Sequence, residues 1–505
     1  MSTSAAAPTE KLDRGVIVTG LVIVSGMIMV VLDTTIVNVA LDSLSTELGA
    51  PLSTTQWVVT GYLLAVALVI PLAGWAMDRF GPKPTWLTAV SLFVLGSALC
   101  ATAWSVESLV VFRVLQGLGG GMLLPAGQAI IARAAGPNRL GRAMSIIGVP
   151  MLLGPVLGPV LGGLLVEYTG WHWIFLVNVP VGALAIALAV WKLPAEDPLA
   201  DPGKLDLRGL VLLSGSLVCL LYGLSEAASQ GGFGEWGVLG WLLAGAIGLA
   251  LYTWHSLNRG SASIVDVRLL GNRLFAGATI AVFLVAIGLF GGMLLLPLYY
   301  QTVRGEGALG AGLLLAPQGL GAIVAMVVGG RLVDRIGAGY VVPVGVLLAL
   351  IGTFPFTQVG TGTSYLWLSL ALFVRGMGLG SVMMPTMAAA YSGLDRDMVS
   401  RAAPTLSAIQ QVGASLGSAL LVTALTQHLT DQLNSKGLSA AGGGADQIST
   451  LPPEALPIVG PLLANAFGFA FWVAFGLTAV IILPALFLPR HRTKAPDESA
   501  VAAGI

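Results

Sequence analysis

An aspartate, an arginine and a glutamine stand inside stretches of this chain that are otherwise apolar. Asp33 sits in Leu32-Asp33-Thr34-Thr35-Ile36-Val37-Asn38-Val39-Ala40-Leu41, and Arg113 in Val110-Val111-Phe112-Arg113-Val114-Leu115-Gln116-Gly117. A carboxylate can take and release a proton near physiological pH when its surroundings disfavour its charge. An arginine cannot, so Arg113 needs a permanent counter-charge, a polar cavity or backbone carbonyls. The chemistry these types could do is proton binding and release beside a fixed cation. Asp33 is the expected proton carrier. Arg113, expected to lie close to it, would favour its charged form.

A second set is mechanical. Gly74-Trp75-Ala76-Met77-Asp78-Arg79-Phe80-Gly81 is a charged, glycine-closed turn between two apolar runs, and it recurs as Gly330-Arg331-Leu332-Val333-Asp334-Arg335-Ile336-Gly337. One copy would be an ordinary solvated loop. Two copies at identical internal spacing predict a latch: Asp78 can face a helix N-terminus of an opposing bundle or pair with a basic residue such as Arg133 or Arg142. A contact made in one state and broken in another sets the balance between them.

The elements that hold these residues follow from composition. The 505 residues are 56% hydrophobic and 10% charged, against roughly 25% charged in soluble chains. The class is therefore an all-α polytopic membrane protein. Fourteen apolar runs are long enough to cross: 16–41, 54–77, 85–104, 107–132, 143–166, 174–191, 209–228, 237–256, 274–300, 308–332, 340–358, 365–390, 402–427 and 462–488. Only Arg304 and Lys436 fall on the outer connections, and Arg113 and Arg375 fall within spans; the other lysines and arginines fall on one side. That predicts both termini in the cytoplasm. The first residues are polar, with no short apolar run ending in a cleavage site, so a removed signal peptide is not expected. The excess of arginine over lysine, with abundant Ala and Gly, suggests a bacterial plasma membrane.

The repeat predicts the architecture. The glycines Gly117, Gly119 and Gly121 of the fourth run match Gly376, Gly378 and Gly380 of the twelfth. Gly154, Gly158 and Gly162 of the fifth have counterparts in Gly413 and Gly417 of the thirteenth. Residues 1–192 thus form one six-helix bundle and 261–505 another, with a link and two inserted helices at 193–260. Parallel repeats of this kind face each other across a central site. Gly154, Gly158 and Gly162 give the fifth span a flat face for close helix contact, and Pro155 and Pro159 bend it.

The turns resemble motif A of the major facilitator superfamily, Arg113 to Gly121 its motif B, and Gly154 to Gly163 its antiporter motif C. The runs Leu32–Leu41 and Trp171–Pro180 look like signatures of the fourteen-span drug:proton antiporters of the QacA/EmrB type. Three positions depart from the pattern: Asp42, Pro82 and His172 stand where Pro, a basic residue and Arg are usual. The last leaves that position neutral near pH 7.

No catalytic constellation is visible. The four histidines are scattered, no phosphate loop ends in Gly-Lys-Ser/Thr, no metal spacing occurs, and no basic patch suits nucleic acid. The expectation is therefore no enzyme and no cofactor beyond the proton gradient. The chain reads as a monomeric exporter of amphipathic small molecules driven by protons, in which a cationic substrate and a proton compete for Asp33. Candidate cavity walls are Trp57, Tyr62, Met122, Gln128, Phe290, Met293, Tyr299, Gln318 and Gln411. Export of one endogenous metabolite or a lipid remains open. A receptor or scaffold is disfavoured by the buried charges, and uptake by the antiporter motif.

Overall fold

The computed structural model describes residues 13–136, 139–195, 198, 203–230, 232–392, 394, 398–436, 456–486 and 488. Among them every regular element is a helix. The first group is α1 (Arg14–Val39), α2 (Leu41–Glu47), α3 (Leu52–Thr55), α4 (Trp57–Val69), α5 (Leu72–Phe80), α6 (Pro82–Cys100), α7 (Val106–Ala135), α8 (Leu140–Thr169), α9 (His172–Leu176) and α10 (Asn178–Lys192). Next come α11 (Leu207–Ser229) and α12 (Trp236–Arg259). The last group is α13 (Arg273–Thr302), α14 (Ala308–Ile336), α15 (Ala338–Thr353), α16 (Tyr365–Tyr391), α17 (Val399–Ser435) and α18 (Leu456–Val480).

Twelve helices among the described residues are long and apolar enough to span a membrane, thirteen when the pair α4 and α5 counts as one. That pair is bent by 52°. The cause is Pro71, which caps α5 and cannot donate to the α4 ladder. The helix α8 is 30 residues long.

Helix starts follow local chemistry. Ser105 and Ser108 form a reciprocal cap on α7, each side chain accepting from the other's backbone N–H. Asn272 caps α13 and Asp206 caps α11 in the same way, one-sidedly. Both charged turns end alike: Gly81 has φ +89° and Gly337 φ +86°, a region that side-chain-bearing residues avoid. This is the physical reason each turn closes on glycine.

The packing repeats. The helix α1 lies along α8, and α4 and α6 lie along α7. In the second group α13 lies along α17, and α14 and α15 lie along α16. Glycines make these approaches possible. A Cβ on Gly117 would sit 2.7 Å from the Tyr62 carbonyl oxygen, and one on Gly380 2.6 Å from that of Ala322. Between the groups, α8 runs along α14 and touches α16, while α17 meets α5 and α7. The helix α11 contacts α4 of the first group and α17 of the second. Ser214 of α11 donates to the Leu68 carbonyl at 2.6 Å.

Candidate functional site

Asp33 lies nineteen residues into α1 with no solvent exposure, and neither has Arg113. Arg113 Nη1 lies 2.5 Å from Asp33 Oδ2. Gln116 Nε2 donates to Oδ1 at 2.8 Å, and Asn178 Nδ2 to the same oxygen at 3.2 Å. Arg113 also donates from Nη1 to Gln116 Oε1 at 2.7 Å and from Nε to the Val58 carbonyl at 3.1 Å. Its guanidinium lies over the Tyr62 ring, 4.0 Å from the centroid, with Phe175 at 5.7 Å. Among the described residues, Arg113 Nη2 and the Tyr62 hydroxyl are buried with no hydrogen-bond partner.

The sequence explains how these groups meet. Arg113 and Gln116, three apart, share a face of α7. Asn178 opens α10, and Ser97 of α6 holds it: Asn178 Nδ2 donates to Ser97 Oγ at 3.1 Å, and Ser97 donates to the Phe175 carbonyl at 2.9 Å. The carboxylate is thus fixed from α7 and α10, with α6 behind. Asn178 and Ser97 were not singled out from sequence. Their signal was there, as polar residues in long apolar runs, but nothing in a linear reading says that they turn toward Asp33.

The arrangement bears on one expectation. Direct competition between a cationic substrate and a proton needs an open carboxylate, whereas here both oxygens are engaged and buried. What this site can do is exchange a proton for an ion pair: protonating Asp33 leaves Arg113 without its counter-charge.

The other side of α1 meets the glycine face of α8. A Cβ on Gly154 would collide with the Val31 side chain, and one on Gly158 with the Thr35 side chain. Gly162 is looser, its nearest neighbour being the Ile36 carbonyl oxygen at 3.2 Å. Val31 and Thr35 bracket Asp33 in the chain, so α1 is clamped between the glycine helix and the charged pair. Pro159 is half-buried in α8, and the side chain of Pro155 lies outside the described set. Toward its other end α8 reaches the second group: Ser145 Oγ donates to the Met326 carbonyl at 3.1 Å, and Gly148 faces Met384 and Met326.

Asp78 accepts a hydrogen bond from Ser400 Oγ at 2.6 Å and lies 3.3 Å from Arg401 Nε, in the first turn of α17. Arg133 is 3.8 Å away. Gly74, one turn back, faces the Ser400 carbonyl, where a Cβ would come within 2.8 Å. The second copy mirrors this. Gly330 faces Ser145, Gly141 and Arg142 in the first turns of α8. The side chain of Asp334 lies outside the described set, while Arg79 and Arg335 are exposed.

The candidate wall residues scatter. Phe290 lines a small pocket with Val282, Val285, Leu289, Met383 and Gln410. Gln410, not Gln411, faces it; adjacent helical residues point about 100° apart, and sequence gave no way to choose. Trp57 is 43% exposed and stacks on Tyr222 of α11, so it faces the inserted helix rather than a cavity. Tyr299 is fully buried against Phe467 and donates to the Gly360 carbonyl, which makes it a packing residue at the end of α13. Tyr62 belongs to the charged site. Gln128 ties the two groups together by accepting from Tyr391 at 3.2 Å and Ser407 at 3.4 Å. Gln318 accepts from Arg375 at 2.5 Å. Met122 and Met293 are half-buried.

Comparison with known proteins gives a consistent picture. The profile of the Major Facilitator Superfamily matches residues 23–420. A protein named multidrug resistance protein B homolog, from Mycobacterium tuberculosis (strain ATCC 25618 / H37Rv), is 40% identical over 97% of this chain and 94% of its own. The tetracenomycin C resistance and export protein of Streptomyces glaucescens is 31% identical over 95% of this chain and 92% of its own. Among solved structures, the proton:xylose symporter XylE aligns over 93% of this chain and 94% of its own, with a TM-score of 0.59 and 18% identity.

Proposed function

The chain belongs to the Major Facilitator Superfamily, and on that premise we propose that it exports drug-like amphipathic small molecules in exchange for protons. It is a multi-pass membrane transporter with small-molecule substrates. Relatives named for multidrug resistance and antibiotic export support efflux as the direction. Proton exchange is read from one observation: the buried Asp33–Arg113 pair, with α1 clamped between it and the glycine face of α8.

A proton arriving on Asp33 removes the charge that Arg113 depends on. Separating one partner of a buried ion pair costs about 3–5 kcal/mol, enough to favour a rearrangement of α1 against α7 and α10. The glycine helix transmits that shift, because α8 touches α1 through Val31 and Thr35 and the second bundle through Ser145 and Gly148. The Asp78–Ser400 contact and its mirror at Gly330 open and close with the bundles. Proton and substrate therefore compete through conformation, not for one oxygen atom.

Several finer readings belong to the same proposal. Counting α8 with the thirteen spans gives fourteen. Residues 1–192 and 261–505 act as the two moving bundles, with the link and α11–α12 (193–260) as a strap between them. The N- and C-termini are cytoplasmic, the membrane is the bacterial plasma membrane, and one chain suffices for transport.

The decisive experiment reconstitutes the purified protein in liposomes with an imposed pH gradient. Dye export and substrate-induced proton movement are recorded together for wild type and Asp33→Asn. Uphill export by wild type and its loss in the variant are expected. Gradient-driven export surviving in Asp33→Asn would remove Asp33 as the carrier and point to the acidic residues in the last turns of α8 and α11, Glu167 and Glu226.

A further inference from the structure

The break between α4 and α5 removes a rung of the backbone ladder inside an apolar span. Pro71 has no N–H for the Ala67 carbonyl, and its ring forces the ladder apart at that turn. The two halves meet at 52°, and the chain rounds the corner by a three-residue step, Ala73 N donating to the Ile70 carbonyl at 3.2 Å. Carbonyls opened by such a break are costly in lipid unless a neighbouring helix or a hydroxyl supplies a donor. The inserted pair supplies one. Ser214 of α11 is buried, and its Oγ donates at 2.6 Å to the carbonyl of Leu68, the residue after Ala67.

Other contacts of α11 serve the same end. Trp57, at the start of α4, stacks on Tyr222 with ring centroids 5.8 Å apart, and Tyr222 meets Trp241 of α12 edge-on at 5.0 Å. The helices α4 and α11 are thus antiparallel and joined at two levels, Trp57 with Tyr222 and Leu68 with Ser214. The first level holds the straight half of the span, and the second sits at the bend. Beyond the bend, α5 carries Asp78 to Ser400 and Arg401 in the first turn of α17. The helix α11 packs on α17 as well as on α4. The broken span therefore reaches the second bundle twice, directly through α5 and at its bend through α11.

We propose that Ser214 is a positioning residue that sets the bend of the second span, and that α11 is the splint through which the inserted pair acts on the two bundles. With Ser214 on the Leu68 carbonyl the bent form is supported and α5 is aimed at α17. Without that hydroxyl the bend loses its support, because a straighter ladder covers its own carbonyls better, and α5 swings away from α17. This rests on the reading of two moving bundles, but its test needs neither substrate nor gradient.

The test measures the distance between spin labels at Phe80→Cys, in the last turn of α5, and Met398→Cys, at the start of α17, with Cys100 and Cys219 changed to alanine and the full chain in lipid nanodiscs. The labelled parent is expected to show a short-distance population. Ser214→Ala should lower the ratio of short to long distances roughly threefold or more, as for one lost hydrogen bond. Ser214→Thr, which keeps a hydroxyl, should hold the ratio of the parent. Pro71→Ala returns the missing N–H, so adding Ser214→Ala to it should change the ratio by less than about 1.5-fold. Ser216→Ala controls for general damage to α11: the Ser216 hydroxyl donates to the Leu212 carbonyl of its own helix, and its loss should leave the ratio unchanged. An unchanged ratio in Ser214→Ala, an equal fall in Ser216→Ala, or effects of Ser214→Ala and Pro71→Ala that simply multiply overturns the proposal. A fall in Ser214→Ala with recovery in Ser214→Thr, in a protein that exports nothing, would leave the splint standing and remove the exporter reading.

Discussion

Asp78 of the first bundle accepts a 2.6 Å hydrogen bond from Ser400 of the second, across 322 positions of chain. The contact sits at the first turn of α17, where unsatisfied backbone N–H groups also favour negative charge. It ties the two bundles together at the end that carries both charged turns. A hydrogen bond to a charged group contributes about 1.5–3 kcal/mol, enough to shift a two-state population roughly tenfold or more.

Removing that contact should move the population without unfolding the protein. Asp78→Asn and Ser400→Ala are each expected to lower turnover several-fold at unchanged expression. Distance measurements between spin labels on α5 and α17 should show the labelled ends further apart. Wild-type transport in Asp78→Asn would reduce the turn to a topology signal.

The glycine face of α8 makes a graded prediction. A methyl group at Gly154 or Gly158 meets the Val31 or Thr35 side chain within contact distance, whereas at Gly162 its nearest neighbours are at 3.2–3.3 Å. Overpacking a tight contact costs about 1–3 kcal/mol. Gly154→Ala and Gly158→Ala should therefore lower the melting temperature and transport rate more than Gly162→Ala does. The reverse order would show that α1 and α8 do not need this closeness.

Charge removal at the buried pair separates stability from coupling. Asp33→Asn leaves Arg113 uncompensated and should destabilise the protein by about 3–5 kcal/mol. Adding Arg113→Gln removes the stranded charge and should restore much of the thermal stability while export stays uncoupled. Thermal unfolding in detergent and gradient-driven transport, measured on the same preparations, give the two readouts. Recovery of coupled transport in the double variant would dismiss the pair as the proton site.

Topology can be read directly. Reporter tags after residues 14, 200, 262 and 500 should report the cytoplasm and a tag near 440 the outside. A cytoplasmic signal at 440 would break the fourteen-span reading and the repeat with it.

Asn178 offers a test of a residue that only the fold exposes. Asn178→Leu removes one of the donors to Asp33 Oδ1 and the partner of Ser97. It should shift the pH at which transport is half-maximal, while Ser97→Ala, one step removed, should shift it less. Identical pH profiles in all three proteins would confine Asn178 to packing.

Some of this was fixed by the order of residues alone. Helices long enough to cross a bilayer are dictated by apolar runs, because nothing in lipid can satisfy an open backbone. The closing glycines of both turns stood in the sequence, whereas the run 54–77 read as one span and only the structure shows it bent at Pro71. Arg113 and Gln116 were legible as a pair because i and i+3 always share a helix face. Repeat glycines announced close helix contacts without saying whose. What tertiary structure decided was which partner each helix presents and on which side. Sequence spacing cannot bring Asp33 to Asn178, 145 positions away, nor name Ser400 and Arg401 as the residues that Asp78 meets beside Arg133. It cannot tell Gln410 from Gln411, because rotation about a helix axis is set by the neighbours that helix packs against. The same dependence separates the two buried arginines. Each is a cation in an apolar run, and only the helix folded against it determines that Arg113 meets a carboxylate and Arg375 meets the bare backbone of Gly292.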